Sequence, residues 1–300
     1  MISGGMMDLN GHSLTVKGSL TYNGGGLKLN GGSLHVEGDI TNNCTLAMSG
    51  GHVDIDGSWN ANGFVTGLDT DFDIAGDIRG SATLGLDGAA SVTLSGKTQQ
   101  NILSSADFRN LTISNEEGVS IAQDRRVYVR GKLVTNGYVI DGLIDMSGSF
   151  EEDLIRADIR FSQGTRLERN LCVDGDVYIG SLDLNGRHIR INGDCYTNIE
   201  YAKNSSISGT VEVKGDLKKT SSYSISYNDG VKFVMSGDKA QSIDFCNSDV
   251  RIHELVIRNS SYDGVAVHKL FTADIIDDPD HKLSFQTEGS AGYTLTRDMV

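Results

Sequence analysis

The sequence predicts an all-β protein, a single-stranded β-solenoid (β-helix) whose coils of about 20 residues stack on one another. Three features indicate this fold. A block of residues recurs at a short interval, apolar and polar residues alternate within the block, and glycine is frequent. Self-similarity at a fixed period of roughly 20 to 50 residues is the sequence signature of repeat architectures.

The recurring block begins at Leu9, Leu29 and Met48, so its first copies start 20 and then 19 residues apart. These copies read LNGHSLTVKGSL, LNGGSLHVEGDI and MSGGHVDIDGSW, and a fourth, LNGRHIRINGDC, begins at Leu184. Apolar residues occupy every second position in the second half of each copy, which is typical of a strand with one buried face. The block therefore predicts one strand in each coil.

Composition agrees with many strands and many turns. The chain has 37 glycines and one proline in 300 residues, whereas average proteins contain about 7% glycine and about 5% proline. Glycine suits tight turns. Proline removes a backbone donor, so its scarcity suits a chain whose N–H groups are committed to strand ladders.

A single coil is too small to fold alone. Its four or five inward aliphatic side chains contribute roughly 1.5–3 kcal/mol each on burial, while ordering 20 residues costs about 1–2 kcal/mol per residue. Stacking makes the balance favourable because each coil then packs on two neighbours. We therefore expect equivalent residues, such as Leu14, Leu34 and Val53, to lie in one file inside the stack.

A longer period divides the chain. The segment VTLSGKTQQNI (Val92–Ile102) reappears as FVMSGDKAQSI (Phe233–Ile243), which predicts two related units. We place the first solenoid unit at residues 1–148, an irregular joining coil at 149–170, and a second unit, continuous with the first, at 171–300. The last residues, GYTLTRDMV, look like a strand entering another coil, so we expect the second unit to be truncated at its C-terminus.

Two segments depart from the register. Residues 149–164 predict either a short helical turn or an irregular coil that joins the two units. Residues 270–286 contain the only proline, Pro279, and predict a protruding loop.

The patterns LxLNGxxLxVxGDL, VxxSGxxxQxI and NLxIxNxxGV together resemble the repeated β-solenoid regions of very large surface or secreted proteins of Gram-positive bacteria. The resemblance covers most of the chain and is specific for the repeat class rather than for an activity. It implies a spacer or adhesive shaft, flanking domains in the same polypeptide, and an extracellular or cell-surface location. The N-terminus MISGGMMDLNGHSL lacks the features of a signal peptide, so we expect this chain to be a fragment of such a protein.

The net charge of the chain limits the classes of partner that it is expected to bind. The net charge of −14 disfavours binding to nucleic acid or to anionic membrane surfaces. No window approaches 18 uninterrupted apolar residues, so we expect no membrane insertion. A glycan, or a protein on a host or bacterial surface, remains the expected class of partner.

The strongest candidate site is an acidic face. If the coils stack in register, the outward residues of successive strands form two files. The first file runs Thr15, His35, Asp54, Asp73 and Thr93, and the second runs Lys17, Glu37, Asp56, Ala75 and Ser95. We take His35, Glu37, Asp54, Asp56 and Asp73 as candidate ligand-binding residues, because clustered carboxylates bind cations or sugar hydroxyls. A solvated acidic face that prevents edge aggregation is the alternative.

The leading functional hypothesis is a non-catalytic structural or adhesive module that acts as a stalk or presents one face to a partner. The alternative is a carbohydrate-active β-helix enzyme, a glycan hydrolase or lyase, that uses the carboxylates of the acidic face as acid and base. We assign no catalytic residue, no cofactor and no metal ligand.

Other residue groups give weaker signals. The run at Asp69, Asp71 and Asp73 fails as an EF-hand, because Ile74 and Gly80 occupy the positions that require glycine and glutamate. A surface Ca²⁺ site that uses Asp69, Asp71 and Asp77 is an open alternative. The acidic and histidine residues of another cluster predict a solvated turn rather than a metal site: Asp277, Asp278, Asp280 and His281.

Two residue types predict internal structure rather than a site. Gln100 and Gln241 occupy equivalent positions in the two long repeats, and we expect an inward amide ladder or a hydrogen bond at a corner. Cys195 replaces an apolar residue in its block, which favours a packed thiol. The four cysteines have no metal-site or disulfide spacing: Cys44, Cys172, Cys195 and Cys246.

Overall fold

The architecture is that of a parallel β-solenoid, as the sequence predicts. The computed structural model describes residues 1–162, 164–197, 208–219, 230–245, 251–269 and 271–285. Every regular element in these ranges is a β-strand, and strands of successive coils pair in parallel at intervals of about 20 residues, giving about 13 turns in all. The chain divides into two compact units, Met1–Glu152 and Asp153–Val300.

Eighteen strands form the first unit. They are β1 (Ile2–Asp8), β2 (Ser13–Val16), β3 (Leu20–Val36), β4 (Ile40–Asn42), β5 (Leu46–Ile55), β6 (Trp59–Ala61), β7 (Val65–Ile74), β8 (Ile78–Arg79), β9 (Leu84–Leu86), β10 (Ser91–Leu94), β11 (Gln100–Ile102), β12 (Ala106–Phe108), β13 (Leu111–Ile113), β14 (Val119–Ile121), β15 (Val127–Val129), β16 (Lys132–Val134), β17 (Val139–Met146) and β18 (Ser149–Phe150).

Fifteen strands are described in the second unit. They are β19 (Leu154–Phe161), β20 (Thr165–Arg166), β21 (Leu171–Val173), β22 (Val177–Ile179), β23 (Leu182–Asp183), β24 (His188–Ile191), β25 (Cys195–Thr197), β26 (Gly209–Val213), β27 (Leu217–Lys219), β28 (Val231–Met235), β29 (Gln241–Phe245), β30 (Arg251–Ile257), β31 (Val265–Val267), β32 (Thr272–Asp277) and β33 (Leu283–Phe285).

The core of the first unit consists of files of apolar side chains, and each coil contributes one side chain to a file. Leu14 pairs with Leu34 and Leu34 pairs with Val53, so the predicted file is confirmed. Leu14 is only half-buried, since it lies in the first coil, whereas Leu34 and Val53 are buried. The file continues through Phe72, Val92, Leu111 and Leu133.

The second unit follows the same principle. One file of buried side chains runs Ile155, Val173, Ile191, Val213, Met235 and Ile257. Another runs Ile159, Val177, Cys195 and Leu217. Cys195 is fully buried in that file, and burial raises the pKa of its thiol. The prediction of a packed thiol is therefore confirmed.

Glycines allow the coils to turn and to approach one another. In the LNG motif, Asn30 has φ 50° and Gly31 has φ 84°, and two successive positive φ values are the requirement of a type I′ turn. At Gly57 the constraint is spatial, because an added Cβ would lie 2.6 Å from the carbonyl carbon of Gly38 in the preceding coil. These two needs explain why both glycines recur in the block.

A helical turn at residues 149–164 and a protruding loop at residues 270–286 are the two expectations that are wrong, while the alternative of an irregular joining coil stays a prediction. Residues 149–162 contain strands β18 and β19 rather than a helical turn. The predicted loop at 270–286 is also largely strand, since β32 pairs with β30 and β33 pairs with β31. Pro279 lies in the short turn between β32 and β33, where its missing N–H removes no ladder bond. Residues 163, 270 and 286 lie outside the described residues.

The equivalent glutamines close a corner of the coil with buried hydrogen bonds. The side-chain amide of Gln100 donates to the carbonyls of Ile74 at 2.9 Å and Gly76 at 2.8 Å, and its oxygen accepts from the Gly96 N–H at 2.8 Å. That oxygen also accepts from the Asn115 side chain at 3.0 Å. The predicted corner hydrogen bond is confirmed, and Asn115 is a partner that the sequence did not indicate.

Gln241 repeats this arrangement in the second unit. Its amide donates to the carbonyls of Val213 and Gly215, and its oxygen accepts from Gly237 and from the side chain of Asn259. Each glutamine thus links three successive coils inside the stack, because its partners lie both before and after it along the chain.

We predict that Gln100→Leu lowers the free energy of unfolding by on the order of 3 kcal/mol. Leucine has a similar volume but removes all four hydrogen bonds of the glutamine. The Gly76 carbonyl, the Gly96 N–H and one N–H of the Asn115 amide lose the partner described above, at about 1–3 kcal/mol for each unsatisfied group before relaxation, whereas the Ile74 carbonyl still accepts from the Ser95 N–H. Urea denaturation followed by circular dichroism measures the change. The matched control is Gln99→Leu at the exposed neighbouring position, which should change stability by less than about 0.5 kcal/mol. Equal effects of the two variants would contradict the corner assignment.

Candidate functional site

The acidic face has the register that the sequence predicts. Residues of its first file are direct partners across parallel strands: Thr15 with His35, His35 with Asp54, Asp54 with Asp73, and Asp73 with Thr93. The second file is in register too, since the backbone N–H of Glu37, Asp56, Ala75 and Ser95 each bonds to the coil before it. Both files are therefore confirmed, while their ligand-binding role stays a prediction.

Three of the five candidate residues come together around one imidazole ring. The Nδ1 atom of His35 lies 2.7 Å from Oδ2 of Asp54, within hydrogen-bond distance. Its Nε2 atom lies 3.5 Å from Oδ2 of Asp56. Asp54 and Asp56 are two positions apart on one outward face, at the end of β5, so one side chain reaches each edge of the ring.

The surroundings of the ring favour its positive form. The pKa of His35 is raised, chiefly by the hydrogen bond to Asp54 and further by the negative charges of Asp54, Asp56 and Glu37, while partial burial opposes the shift. The ring side chain is 34% exposed, and the Asp54 and Asp56 side chains are 40% and 52% exposed. The site is therefore open to solvent and to ligands.

The other two candidate residues lie beside this group. Glu37 is exposed and is next to Asp56 in the second file. Asp73 is next to Asp54 in the first file, but its carboxylate accepts a hydrogen bond from the Ser95 hydroxyl. Like charges directly opposite on paired strands are destabilising by a few tenths of a kcal/mol or more. A hydroxyl donor relieves part of this repulsion at Asp73, and His35 relieves it at Asp54.

The open alternative of a Ca²⁺ site does not correspond to a ligand cluster. Asp71 accepts a hydrogen bond from the Ser91 hydroxyl at 2.6 Å, and Asp77 is paired with Arg79 at 2.6 Å. Among the described residues, the group of three side chains close enough to share a metal ion is His35, Asp54 and Asp56. Asp69, Asp71 and Asp77 do not form such a group.

The cluster at residues 277–281 holds a turn together, as expected. Asp278 is buried, and its two carboxylate oxygens accept from the backbone N–H groups of Lys282 and Leu283, both at 2.9 Å. Asp277 is paired with Arg258 at 2.5 Å. Cys44 and Cys172 are half-buried free thiols, and Cys246 lies outside the described residues.

The sequence reasoning missed a row of acceptors at one corner of the coils. In the first unit, Ser19, Asp39, Ser58 and Asp77 each accept a hydrogen bond from a backbone N–H of the following coil, at 2.7–3.1 Å. In the second unit, Asp158, Asp176, Asp194 and Asp216 do the same at 2.7–2.8 Å. The signal was present in the recurring pair of glycine followed by serine or aspartate, but the period-2 alternation of the block assigns these side chains to the solvent face.

This corner acceptor row places like charges next to one another in the second unit. Burial raises the pKa of Asp176, and the neighbouring carboxylates of Asp158 and Asp194 raise it further. Burial acts on Asp194 in the same direction, but hydrogen bonds from Lys218 and from the Asp216 backbone outweigh it and lower the pKa of Asp194. Lys218 Nζ lies 2.7 Å from Asp194 and 2.9 Å from Asp216, so the cation neutralises one end of the row.

No family model, curated protein or solved structure matches this chain. Within the part of the chain that the structure describes, no helix is long and apolar enough to cross a membrane.

We predict opposite effects of two similar substitutions in the corner acceptor row. Asp176→Asn keeps the oxygen that accepts from Asp194 but removes an ionised group that the fold disfavours, so stability should rise by on the order of 0.5 kcal/mol, since solvent screens these charges. Asp194→Asn removes one of the two carboxylate partners of Lys218, so stability should fall by a similar amount.

The pH dependence of the free energy of unfolding distinguishes the Asp176→Asn variant from the Asp194→Asn variant. Asp176 has a raised pKa in the fold, so the gain from Asp176→Asn exists above that pKa and disappears as the pH falls towards the unfolded value of about 3.9. Asp194 has a lowered pKa, so its contribution is present above about pH 4 and is lost as the pH falls through the folded value. Urea denaturation of both variants between about pH 3 and pH 7 measures this, and effects of the same sign would refute the assignment.

Proposed function

We propose that this chain is a non-catalytic structural module of a larger protein, a stalk or presentation surface that holds a face of outward side chains in a fixed order. The observation that carries the proposal is the in-register acidic face, in which Thr15, His35, Asp54, Asp73 and Thr93 occupy one file over a buried core. Such a face repeats a chemical group at the strand spacing of about 4.8 Å.

Rigidity supports the role of a stalk. Each coil is bonded to the next through its backbone, and buried glutamines and the corner acceptor row add side-chain bonds between coils in each unit. Bonds of this kind hold successive coils at a constant distance. A module built in this way keeps its coils at fixed positions in the stack, as a spacer requires.

Charge supports the role of a presentation surface. The residues of the acidic face are half-buried or exposed, and carboxylates and an imidazole are hydrogen-bonding partners for sugar hydroxyls or for basic groups of a protein. We propose a glycan or a surface protein as the partner. Nucleic acid is disfavoured by the net charge of −14.

The location belongs to the proposal as well. The repeat resembles the solenoid regions of large surface or secreted proteins of Gram-positive bacteria, and this resemblance supports an extracellular or cell-surface site with flanking domains in the same polypeptide. The flanking coding sequence tests that part directly, since it should encode a signal peptide, a wall anchor or further extracellular domains.

We predict that the protein binds glycans or surface proteins at most and does not cleave them. A glycan array measures binding, and a depolymerisation assay on the bound glycans measures cleavage. Cleavage that disappears in Asp54→Ala would overturn the structural module in favour of a glycan hydrolase or lyase.

A charge-matched pair of variants locates the binding face. The affinity for any glycan that binds should fall at least tenfold in a triple variant that combines Glu37→Gln, Asp54→Asn and Asp73→Asn. Glu116→Gln, Glu117→Gln and Asp124→Asn combined remove the same charge from exposed positions of the same unit and should leave binding unchanged. Equal losses would assign the effect to net charge rather than to the acidic face.

A further inference from the structure

The imidazole of His35 has its two nitrogens in different settings. Nδ1 is 2.7 Å from Asp54 Oδ2, the distance of a strong hydrogen bond. Nε2 faces Asp56 Oδ2 at 3.5 Å, which is well beyond the roughly 2.7–2.9 Å of a charge-assisted N–H···O bond. The Asp54 side of the ring is therefore satisfied by direct contact, whereas on the Asp56 side a gap separates Nε2 from the carboxylate oxygen.

That gap has the size of a coordinated metal ion. Zinc binds histidine nitrogen at about 2.0–2.1 Å and carboxylate oxygen at about 2.0–2.2 Å. Two such ligands at a tetrahedral angle lie about 3.4 Å apart, close to the 3.5 Å between His35 Nε2 and Asp56 Oδ2. The ligand atoms of His35, Asp54 and Asp56 all lie within 4.8 Å of one another.

We propose that His35 Nε2 and Asp56 Oδ2 are ligands of a divalent transition-metal ion of the zinc type, and that Asp54 is the positioning residue for the imidazole. When Nδ1–H donates to Asp54, the lone pair of the neutral ring lies on Nε2, where it points to the ion. A carboxylate on the far nitrogen is the usual companion of a metal-bound histidine, because it fixes the ring orientation and raises its basicity.

Donor chemistry selects the class of ion. Imidazole suits zinc, copper, nickel and iron, whereas calcium and magnesium prefer ligand sets made only of oxygen. Glu37 adds negative charge beside Asp56 in the second file. Water fills the remaining positions of the ion, since the side chains of His35 and Asp56 are 34% and 52% exposed.

The ion would tie two successive coils together. His35 lies at the end of β3 and Asp56 follows β5, and these strands are neighbours in the parallel ladder. An ion that binds only the folded arrangement stabilises it by mass action. It would also remove the repulsion between the carboxylates of the acidic face without a basic side chain.

Isothermal titration with Zn²⁺ at about pH 8, on the full chain without a histidine tag, tests the proposal. We expect one saturable equivalent that Ca²⁺ and Mg²⁺ do not displace, together with a higher melting temperature. His35→Gln and Asp56→Asn should each weaken this binding at least tenfold. Asp54→Asn should weaken it by about 10-fold and change the visible spectrum of bound Co²⁺, a readout that a purely structural role of Asp54 would not move.

The matched control is His188→Gln. His188 is also a half-exposed histidine beside a carboxylate, with Nε2 3.0 Å from Glu212 Oε2, but Arg190 lies 3.8 Å from the same carboxylate and supplies a cation there. This variant should leave Zn²⁺ binding unchanged. Absence of saturable Zn²⁺ binding, or binding that survives both His35→Gln and Asp56→Asn, would overturn the proposal.

X-ray absorption at the zinc edge of the unmodified protein gives a second test that does not depend on the folding of variants. A first shell of nitrogen and oxygen with one imidazole scattering pattern is expected. A shell without imidazole would overturn the proposal.

Discussion

In-register parallel stacking is the constraint on which every other feature of each unit depends. A coil of about 20 residues buries too few aliphatic groups to offset its own ordering entropy, so its strands are stable only when the next coil covers them. Each coil must therefore present the same backbone path to its neighbour. The buried files through Leu34 and Val53 in the first unit, and through Val173 and Ile191 in the second, are the direct result.

Stacking also imposes an electrostatic cost, because equivalent positions carry similar residues and bring like charges together. Several solutions to this cost occur along the two units. His35 is shared by carboxylates in the acidic face, Ser95 donates to Asp73, and Lys218 neutralises Asp194. The corner acceptor row adds another, since each carboxylate or hydroxyl there accepts a backbone N–H that the turn would otherwise leave without a partner. Asp176 shows the cost, because the charge of Lys218 offsets only part of the effect of burial and of the neighbouring carboxylates on its pKa.

Much of this architecture follows from local patterns that the sequence shows directly. The period of the LNG block and its alternation predict the file of Leu14, Leu34 and Val53, and they place His35 beside Asp54, because parallel pairing repeats one register from coil to coil. The role of glycine followed by aspartate was missed for a physical reason. Alternation assigns the aspartate to the solvent face, whereas the sharp turn after Gly38 directs Asp39 towards the N–H of Ser58 in the next coil.

The strands at 272–277 and 283–285 show another limit of sequence reasoning. Pro279 and four charged or titratable neighbours indicate a loop, and the turn between β32 and β33 contains all of them except Asp277, which is the last residue of β32. The flanking strands are nevertheless held by pairing with β30 and β31. The ladder of the preceding coil thus supplies backbone hydrogen-bond partners to short segments whose own sequence pattern does not predict a strand. Asn115 and Asn259 likewise bond to the corner glutamines, but they follow them along the chain by 15 and 18 residues respectively. Because the two separations differ, a search for a fixed repeat period does not find these asparagines.

The same constraint explains where functional information can reside in such a chain. Inward positions are committed to the core and corner positions to hydrogen bonds between coils, so the outward positions of each strand can vary at the lowest energetic cost. A slip of one residue in register would send His35 into the core and separate it from Asp54, because the faces of a strand alternate. The geometry around His35 is thus a property of the stack rather than of a local motif. Its two carboxylate neighbours lie 19 and 21 residues away along the chain and come within reach only when two coils pair correctly.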